Sequence, residues 1–263
     1  MPTRDVEPSG AEKVASILLA FVGSSGVHER LGVSEIARAV GRERSQVSRM
    51  LKALAQTRLL EQDPEDRTYH LGWPLQVLAA GAGNQALIRA ARPILQALVA
   101  RTGETALLSV QQASTSLTVF REDSRHALRA GGWVGRSSPL HCTGSGRALM
   151  FDTDPELVAF LVEEDLKLPA PGPRAPRTLD ELLARLKTEH AQGYSFASEE
   201  VEVGLTSLGA PVRDGSGQII AVVNTSGPSS RVVERKDEIG RLTVAAAAAL
   251  AKELRRPPGR LPQ

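Results

Sequence analysis

Between Arg44 and Lys52 the side chains best suited to polar chemistry fall on one face of a helical repeat. Val47, Met50, Leu51 and Leu54 recur at i, i+3, i+4 and i+7, the pattern of a buried helical stripe. Turning that stripe inward leaves Arg44, Ser45, Gln46, Ser48, Arg49 and Lys52 pointing outward. Arginine pairs bidentately with guanine and glutamine with adenine, and lysine and serine hold phosphate oxygens. Free backbone N–H groups at a helix start, here near Arg44 and Ser45, add a further phosphate contact. From Arg30 to Arg58 seven basic residues stand against only Glu35 and Glu43, a local excess of five positive charges in a chain whose net charge is +2. Clustered cations of this kind neutralise phosphates, and each neutralised phosphate adds affinity.

Three elements are needed to position that face. Val14, Ile17, Leu18 and Phe21 form the apolar stripe of a first helix, ended by the Gly23-Ser24-Ser25-Gly26 break. A second helix is expected from Ser34 as its N-cap, with Ile36, Ala37 and Val40 buried and Gly41 where it stops. Small residues at Ala37 and Gly41 allow a tight turn into a third helix beginning near Ser45, the shape of a helix-turn-helix whose second helix enters the major groove. Leu59–Gln62 and Arg67–Leu71 read as two strands around Asp63-Pro64-Glu65-Asp66, a wing after the reading helix. Arg67 is expected to contact DNA from its strand, while the acidic tip is repelled by phosphate.

Length favours about two domains. A hydrophobic fraction of 41% supports packed cores, and 24% charged residues is ordinary. No uncharged apolar run is long enough to span a membrane, and the first residues do not read as an export signal. Cys142 is the only cysteine, which excludes an intrachain disulfide and a Cys-rich zinc site. The expected location is cytoplasmic. No cofactor, metal ligand set or catalytic residue is expected, since no nucleophile–base pair, metal cluster or phosphate loop is visible.

Beyond the wing, Leu75 to about Gly83 reads as a linker helix. Leu87 to Arg101 reads as another, with Leu87, Ala91, Ile94, Leu95 and Leu98 on one face and Pro93 as a possible bend. Strand-like runs follow at 104–110, 116–122 and 127–130. Asp154-Pro155 opens a helix and the proline-rich 169–176 is a loop. Thr178-Leu179-Asp180-Glu181 is a capping box for a helix that Gly193 ends. Two strands, 205–212 and 219–224, flank the Asp214–Gly217 turn, and a last helix carries the alanine run 245–249. Gly144-Ser145-Gly146 sits before a helix, where glycine N–H groups can converge on an anion or form a plain tight turn. The expected class is mixed α/β: an N-terminal winged helix-turn-helix and a C-terminal α+β domain with an antiparallel sheet.

Taken together, Ser34-Glu35-Ile36-Ala37-Arg38, Arg44 through Leu54, and Tyr69-His70-Leu71-Gly72 resemble the DNA-binding half of IclR-type bacterial regulators. The resemblance continues through His141-Cys142-Thr143-Gly144-Ser145-Gly146-Arg147-Ala148-Leu149. It extends to Gly193-Tyr194, Glu199-Glu200, Gly204, Ala210-Pro211-Val212 and Ser226–Arg231. It spans about residues 12 to 254. It implies domains at 1–73 (winged helix-turn-helix), 74–86 (linker helix) and 87–263 (GAF-like effector binding and oligomerisation). It also implies a small organic acid or aromatic metabolite as effector, operator DNA as partner, and a homodimer or homotetramer. The residues it assigns to the effector are Gly144, Ser145, Ser207, Asn224 and Ser226. Some relatives carry an acid where Ala197 stands, so a ligand needing a carboxylate partner there is disfavoured. His141 and Cys142 are not expected to be catalytic or metal-binding, and Glu199 and Glu200 are expected to be structural or surface groups, with a place at the pocket border as the alternative for either. Repression is the expected direction of regulation. An enzyme fused to a DNA-binding domain, and a DNA-binding protein whose large domain only oligomerises, are the competing classes.

Overall fold

The structure, a computed structural model, describes residues 8–23, 26–81 and 85–255. The chain divides into two compact units, Met1–Gln85 and Ala86–Gln263.

In the first unit, α1 (Gly10–Leu19) starts with a reciprocal cap: Glu12 N–H donates to Ser9 Oγ at 3.2 Å, and Ser9 N–H to the Glu12 carboxylate at 2.6 Å. Two short strands, β1 (Val22–Gly23) and β2 (Gly26–Val27), pair after it; the serines between them lie outside the described residues. The second helix, α2 (Val33–Ala39), begins ahead of the expected cap. Ser34 is already helical, and the extended Gly32 is the N-cap, its N–H donating to the Glu35 carboxylate at 2.7 Å. A cap that depends on a backbone N–H and a side chain three residues later does not need a polar side chain of its own, which is why Ser34 misled. Gly41, at φ +63°, makes the left-handed exit that turns the chain into α3 (Arg44–Gln56). Ile17, Phe21, Ile36, Val47 and Leu51 are fully buried together, joined by Leu60 and Tyr69 from the hairpin β3 (Leu60–Gln62) and β4 (Tyr69–Leu71). Leu31 exchanges backbone bonds with Tyr69 at 3.0 and 2.9 Å, tying the approach to α2 onto that hairpin. A Cβ at Gly72 would lie 2.0 Å from the Arg58 carbonyl oxygen, so only glycine closes the hairpin against the end of α3. Then α4 (Trp73–Gly81) follows; the expected end of the linker helix at Gly83 lies outside the described residues.

The second unit is built on a six-stranded antiparallel sheet in the order β7-β6-β5-β10-β9-β8. The chain enters through α5 (Gln85–Thr102), which runs unbroken through Pro93. It continues into β5 (Thr105–Gln112), β6 (Thr115–Glu122) and the edge strand β7 (Ser137–Pro139). The expected strand at 127–130 does not form. Those residues belong to a loop, and the pairing with β6 is made by Ser137–Pro139 instead. Three helices follow: α6 (Gly144–Leu149), α7 (Pro155–Lys167) and α8 (Leu179–Gln192). As expected, Asp154 caps α7, accepting from Glu156 N–H at 2.9 Å, and Gly193 ends α8 in the left-handed region at φ +83°. At the start of α8 the box is displaced: Thr178 accepts from Glu181 N–H, but the Glu181 carboxylate takes Arg177 N–H. The last elements are β8 (Ser195–Ser198), β9 (Leu205–Arg213), β10 (Ile219–Pro228), α9 (Ser229–Val232) and α10 (Lys236–Leu254).

Alternation along the strands divides the sheet into two faces. Ala221 and Val223 of β10, with Leu108 and Leu208 of its neighbours, pack on α5 and α10 through Leu95, Leu98 and Leu250. Val222 points the other way, into a second core with Leu140, Met150, Val158 and Leu182 from the α6–α8 side. Covered on both faces, β10 is buried without interruption from Ala221 to Gly227.

Candidate DNA interface and ligand face

Burial of Val47, Leu51 and Leu54 fixes the rotation of α3. Arg44, Ser45, Arg49 and Lys52 are consequently exposed, and Gln46 and Ser48 are half-buried at the edge of the same face. None of Arg44, Arg49 or Lys52 is in an ion pair among the described residues, so their charge is available to an incoming polyanion. Arg67 is placed differently from expectation. It is exposed in the turn before β4 at φ +61°, not on a strand. Asp63 N–H bonds to Thr68 O at 2.8 Å and Arg67 N–H to Asp63 O at 3.2 Å, so the turn closes late and strand pairing starts only at Gln62–Tyr69. The acidic tip is also less repellent than its composition suggests. Arg30 bonds to Asp63 and lies 3.6 Å from Asp66. Hydrogen bonds from Glu65 N–H and then from Arg30 hold the Asp63 carboxyl below its ordinary value. Arg30, counted in the basic excess, is therefore committed to the wing, a role that only the fold reveals.

On the sheet, Asn224 and Ser226 are two and four residues from Val222 and share its face. Ser226 pairs with Ser207 and Asn224 with Gly209 across β10–β9, while Ala197 of β8 lies opposite Ser207. α6 rests on this surface. Gly144 N–H donates to Ser207 Oγ at 3.1 Å, Ser145 Oγ is 2.9 Å from Ser116 Oγ, and Ser195 Oγ donates to Gly144 O at 2.5 Å. The five residues implied for the effector therefore come from one helix start and two adjacent strands on one face. Gly144-Ser145-Gly146 does not precede the helix, however: these residues form its first turn behind the N-cap Thr143, and Gly146 N–H is taken by Thr143 Oγ1 at 3.0 Å. With the Gly144 and Gly146 N–H groups bonded internally, no anion cradle forms. The glycines serve packing, since a Cβ on Gly146 would sit 2.4 Å from Leu140 O and one on Gly209 2.3 Å from Gly144 O. Asn224 is 5% exposed, and its Oδ1 has no hydrogen-bond partner among the described residues. A buried acceptor left open costs about 1–3 kcal/mol, a cost an incoming donor would remove.

Several residues that matter here were not singled out from the sequence. Ser116, Thr118 and Arg121 of β6 extend the same polar face, by register from Asn224 through Leu107 to Arg121. Period-two reading of 116–122 groups Ser116 with Thr118 but puts Arg121 on the opposite face; a bulge between Thr118 and Phe120, which no alternation reveals, returns Arg121 to the same side. Arg147 is fully buried and binds Glu189 and Glu200 together with the carbonyls of His141 and Phe196. Burial opposes its charge, but the two carboxylates raise its pKa further above the ordinary value. Glu200 is thus an interior ion partner, while Glu199 sits at φ +56° with its carboxylate on Gly204 N–H at 3.2 Å. Cys142 is buried, and desolvation pushes its thiol up to about 12, which leaves it protonated and unreactive. Among the described residues no group of three or more potential ligands is placed to hold a metal ion, and no helix is long and apolar enough to cross a membrane.

The IclR helix-turn-helix domain model matches residues 10–64, and the model of the bacterial transcriptional regulator IclR C-terminal matches residues 79–252. The chain belongs to the IclR family of bacterial transcriptional regulators. Among IclR-family relatives, the HTH-type transcriptional repressor AllR of Salmonella paratyphi A is 28% identical over 89% of this chain and 85% of that protein. The HTH-type transcriptional regulator KdgR of Dickeya chrysanthemi is 30% identical over 85% and 74%. An IclR homologue from Microbacterium hydrocarbonoxydans, solved with 4-hydroxybenzoate, superposes with a TM-score of 0.79 at 25% identity, covering 92% of this chain and 98% of that one. α3 is accordingly the second helix of an IclR helix-turn-helix, and the sheet domain is the IclR C-terminal domain. The chain is a DNA-binding transcriptional regulator.

Proposed function

We propose that this protein is a cytoplasmic, non-enzymatic, oligomeric repressor whose hold on operator DNA is controlled by a small organic acid or aromatic metabolite bound on the polar sheet face. Residues 1–73 bind DNA, 74–86 connect, and 87–263 bind effector and oligomerise as a homodimer or homotetramer. Arg44, Ser45, Gln46, Ser48, Arg49 and Lys52 meet the major groove, and Arg67 meets the backbone beside it. Gly144, Ser145, Ser207, Asn224 and Ser226 surround the effector.

The observation that carries the effector reading is the open Asn224 Oδ1, buried on the sheet face that also carries Ser207 and Ser226. It calls for a ligand with a hydrogen-bond donor such as a hydroxyl, and 4-hydroxybenzoate in the Microbacterium relative has that chemistry. Ala197, buried opposite Ser207, removes any carboxylate from that position. Control of DNA then requires the effector to favour one arrangement of the protein over another.

The test is fluorescence anisotropy on the protein's own upstream intergenic DNA at two salt concentrations, with and without 4-hydroxybenzoate and related acids. Salt-sensitive, sequence-preferring binding weakened by an acid supports the reading. Binding that no acid changes leaves an oligomerisation-only second domain, and turnover of an added acid would replace the reading with an enzyme.

A further inference from the structure

A cleft of about 400 Å³ opens under the proline-rich loop that follows α7. Its polar lining is His141, Asp165 and Arg177, and its walls include Pro171, Pro173 and Pro176. His141 immediately precedes the α6 segment, but its side chain serves neither the sheet face nor the Arg147 cluster, to which only its carbonyl contributes. His141 is 2% exposed, and its Nδ1 has no hydrogen-bond partner among the described residues. Asp165 Oδ2 stands 3.6 Å away, beyond hydrogen-bonding range. Neither Asp165 nor Arg177 has another side-chain ion-pair partner among the described residues. Burial, partly opposed by Asp165 and aided by Arg147, pushes the imidazole below its ordinary value and keeps it neutral.

We propose that this cleft is a second small-molecule site, for an amino acid with an apolar side chain. A separation of 3.6 Å between two acceptors suits one nitrogen donor held between them. An ammonium seated there donates to the Asp165 carboxylate and to the neutral His141 Nδ1. This satisfies the orphaned ring nitrogen and offsets the Asp165 charge in one contact. Arg177 supplies the opposite charge for the carboxylate end. Leu166, Leu168 and the proline rings supply the smaller, apolar part of a largely polar lining, where the side chain is received, and the volume lies within the range of small-ligand sites. An amine lacks the group that Arg177 requires, and a simple acid lacks the group that His141 and Asp165 require.

The probe is L-phenylalanine, measured by isothermal titration calorimetry on the full chain beside 2-phenylethylamine and 3-phenylpropanoate, each of which lacks one charged end. L-Phenylalanine is expected to bind at one site per chain, about tenfold or more tighter than either half. Asp165→Asn removes that advantage while leaving 3-phenylpropanoate unchanged; Arg177→Gln removes it while leaving the amine unchanged. Asn224→Ala leaves L-phenylalanine binding intact, separating this cleft from the effector face. No binding of L-phenylalanine at millimolar concentration, or binding indifferent to both Asp165→Asn and Arg177→Gln, overturns the proposal.

Discussion

Arg147 and Glu189 form a two-pronged ion pair inside the sheet domain, Nε to Oε2 and Nη2 to Oε1, both at 2.8 Å. The arginine is 0% and the glutamate 6% exposed. The pair joins α6, which rests on the polar sheet face, to α8, with Glu200 closing the cluster. Removing Arg147 leaves the buried Glu189 carboxylate without its cation. Arg147→Met is therefore expected to cost about 3–5 kcal/mol of stability, and Glu189→Gln, which leaves Arg147 paired with Glu200, clearly less. Urea denaturation followed by Trp133 fluorescence in a Trp73→Phe background measures it; a midpoint within error of the parent would contradict the assignment.

The reading helix makes two separable predictions. Arg49→Ala is expected to lose about 1–3 kcal/mol of operator affinity and to relax sequence preference where the guanidinium met a base. Lys52→Ala is expected to weaken all sequences alike and to reduce the slope of log K against log salt by about 0.9. Both are read from anisotropy titrations across a salt series. Equal losses on specific and random DNA for Arg49→Ala would move it from base to phosphate.

On the ligand face, Asn224→Ala removes an acceptor that has no hydrogen-bond partner among the described residues. Its apo stability is expected to change by no more than about 1 kcal/mol, because the lost packing is offset by removal of an unsatisfied group. The thermal shift produced by the effector should disappear. A large apo destabilisation would mean that Asn224 serves the fold and not a ligand.

Close packing of α6 on the sheet gives a steric prediction. Gly146→Ala pushes a methyl group to 2.4 Å from the Leu140 carbonyl, which is backbone and must move. A cost of about 1–3 kcal/mol is expected. Gly215→Ala, whose added Cβ meets nothing within 4 Å, is the control and should cost little. Thermal unfolding of the two variants side by side decides it.

Two neighbouring groups set opposite limits on the pH range. The Cys142 thiol is raised in the folded chain from 9.0 to about 12, so the folded state keeps a proton that the unfolded state gives up. Stability should decline as pH rises through that interval, and Cys142 should resist iodoacetamide at pH near 8 until the protein is unfolded. The His141 imidazole is lowered, so the unfolded state takes up a proton first, and stability should fall as pH drops below about 6.5. Thiol alkylation of the native protein at the unfolded rate would contradict the burial of Cys142.

What the sequence determined by itself is whatever its periodicities encode locally. Val47, Leu51 and Leu54 at helical spacing fixed which face of α3 is buried, and therefore which cations face outward, without any distant contact. Alternation and turn residues located β5, β6, β9 and β10, and Asp154-Pro155 and Gly193 marked helix ends through caps that span only a few residues. Two element ends moved through local contacts that periodicity does not report: the Glu35 side chain takes Gly32 N–H and so gives Gly32 the cap in place of Ser34, and the Asp63–Thr68 turn bonds close late and leave Arg67 off its strand. Tertiary structure decided what depends on partners far along the chain. Gly144 and Gly146 became packing glycines only because β9 and Leu140 approach them. Arg147, an ordinary basic residue in sequence, became the fully buried hub of an ion cluster because Glu189 and Glu200 are brought to it from 42 and 53 residues away. A charge can be buried only where the whole fold supplies its counter-charges, and no local pattern carries that information.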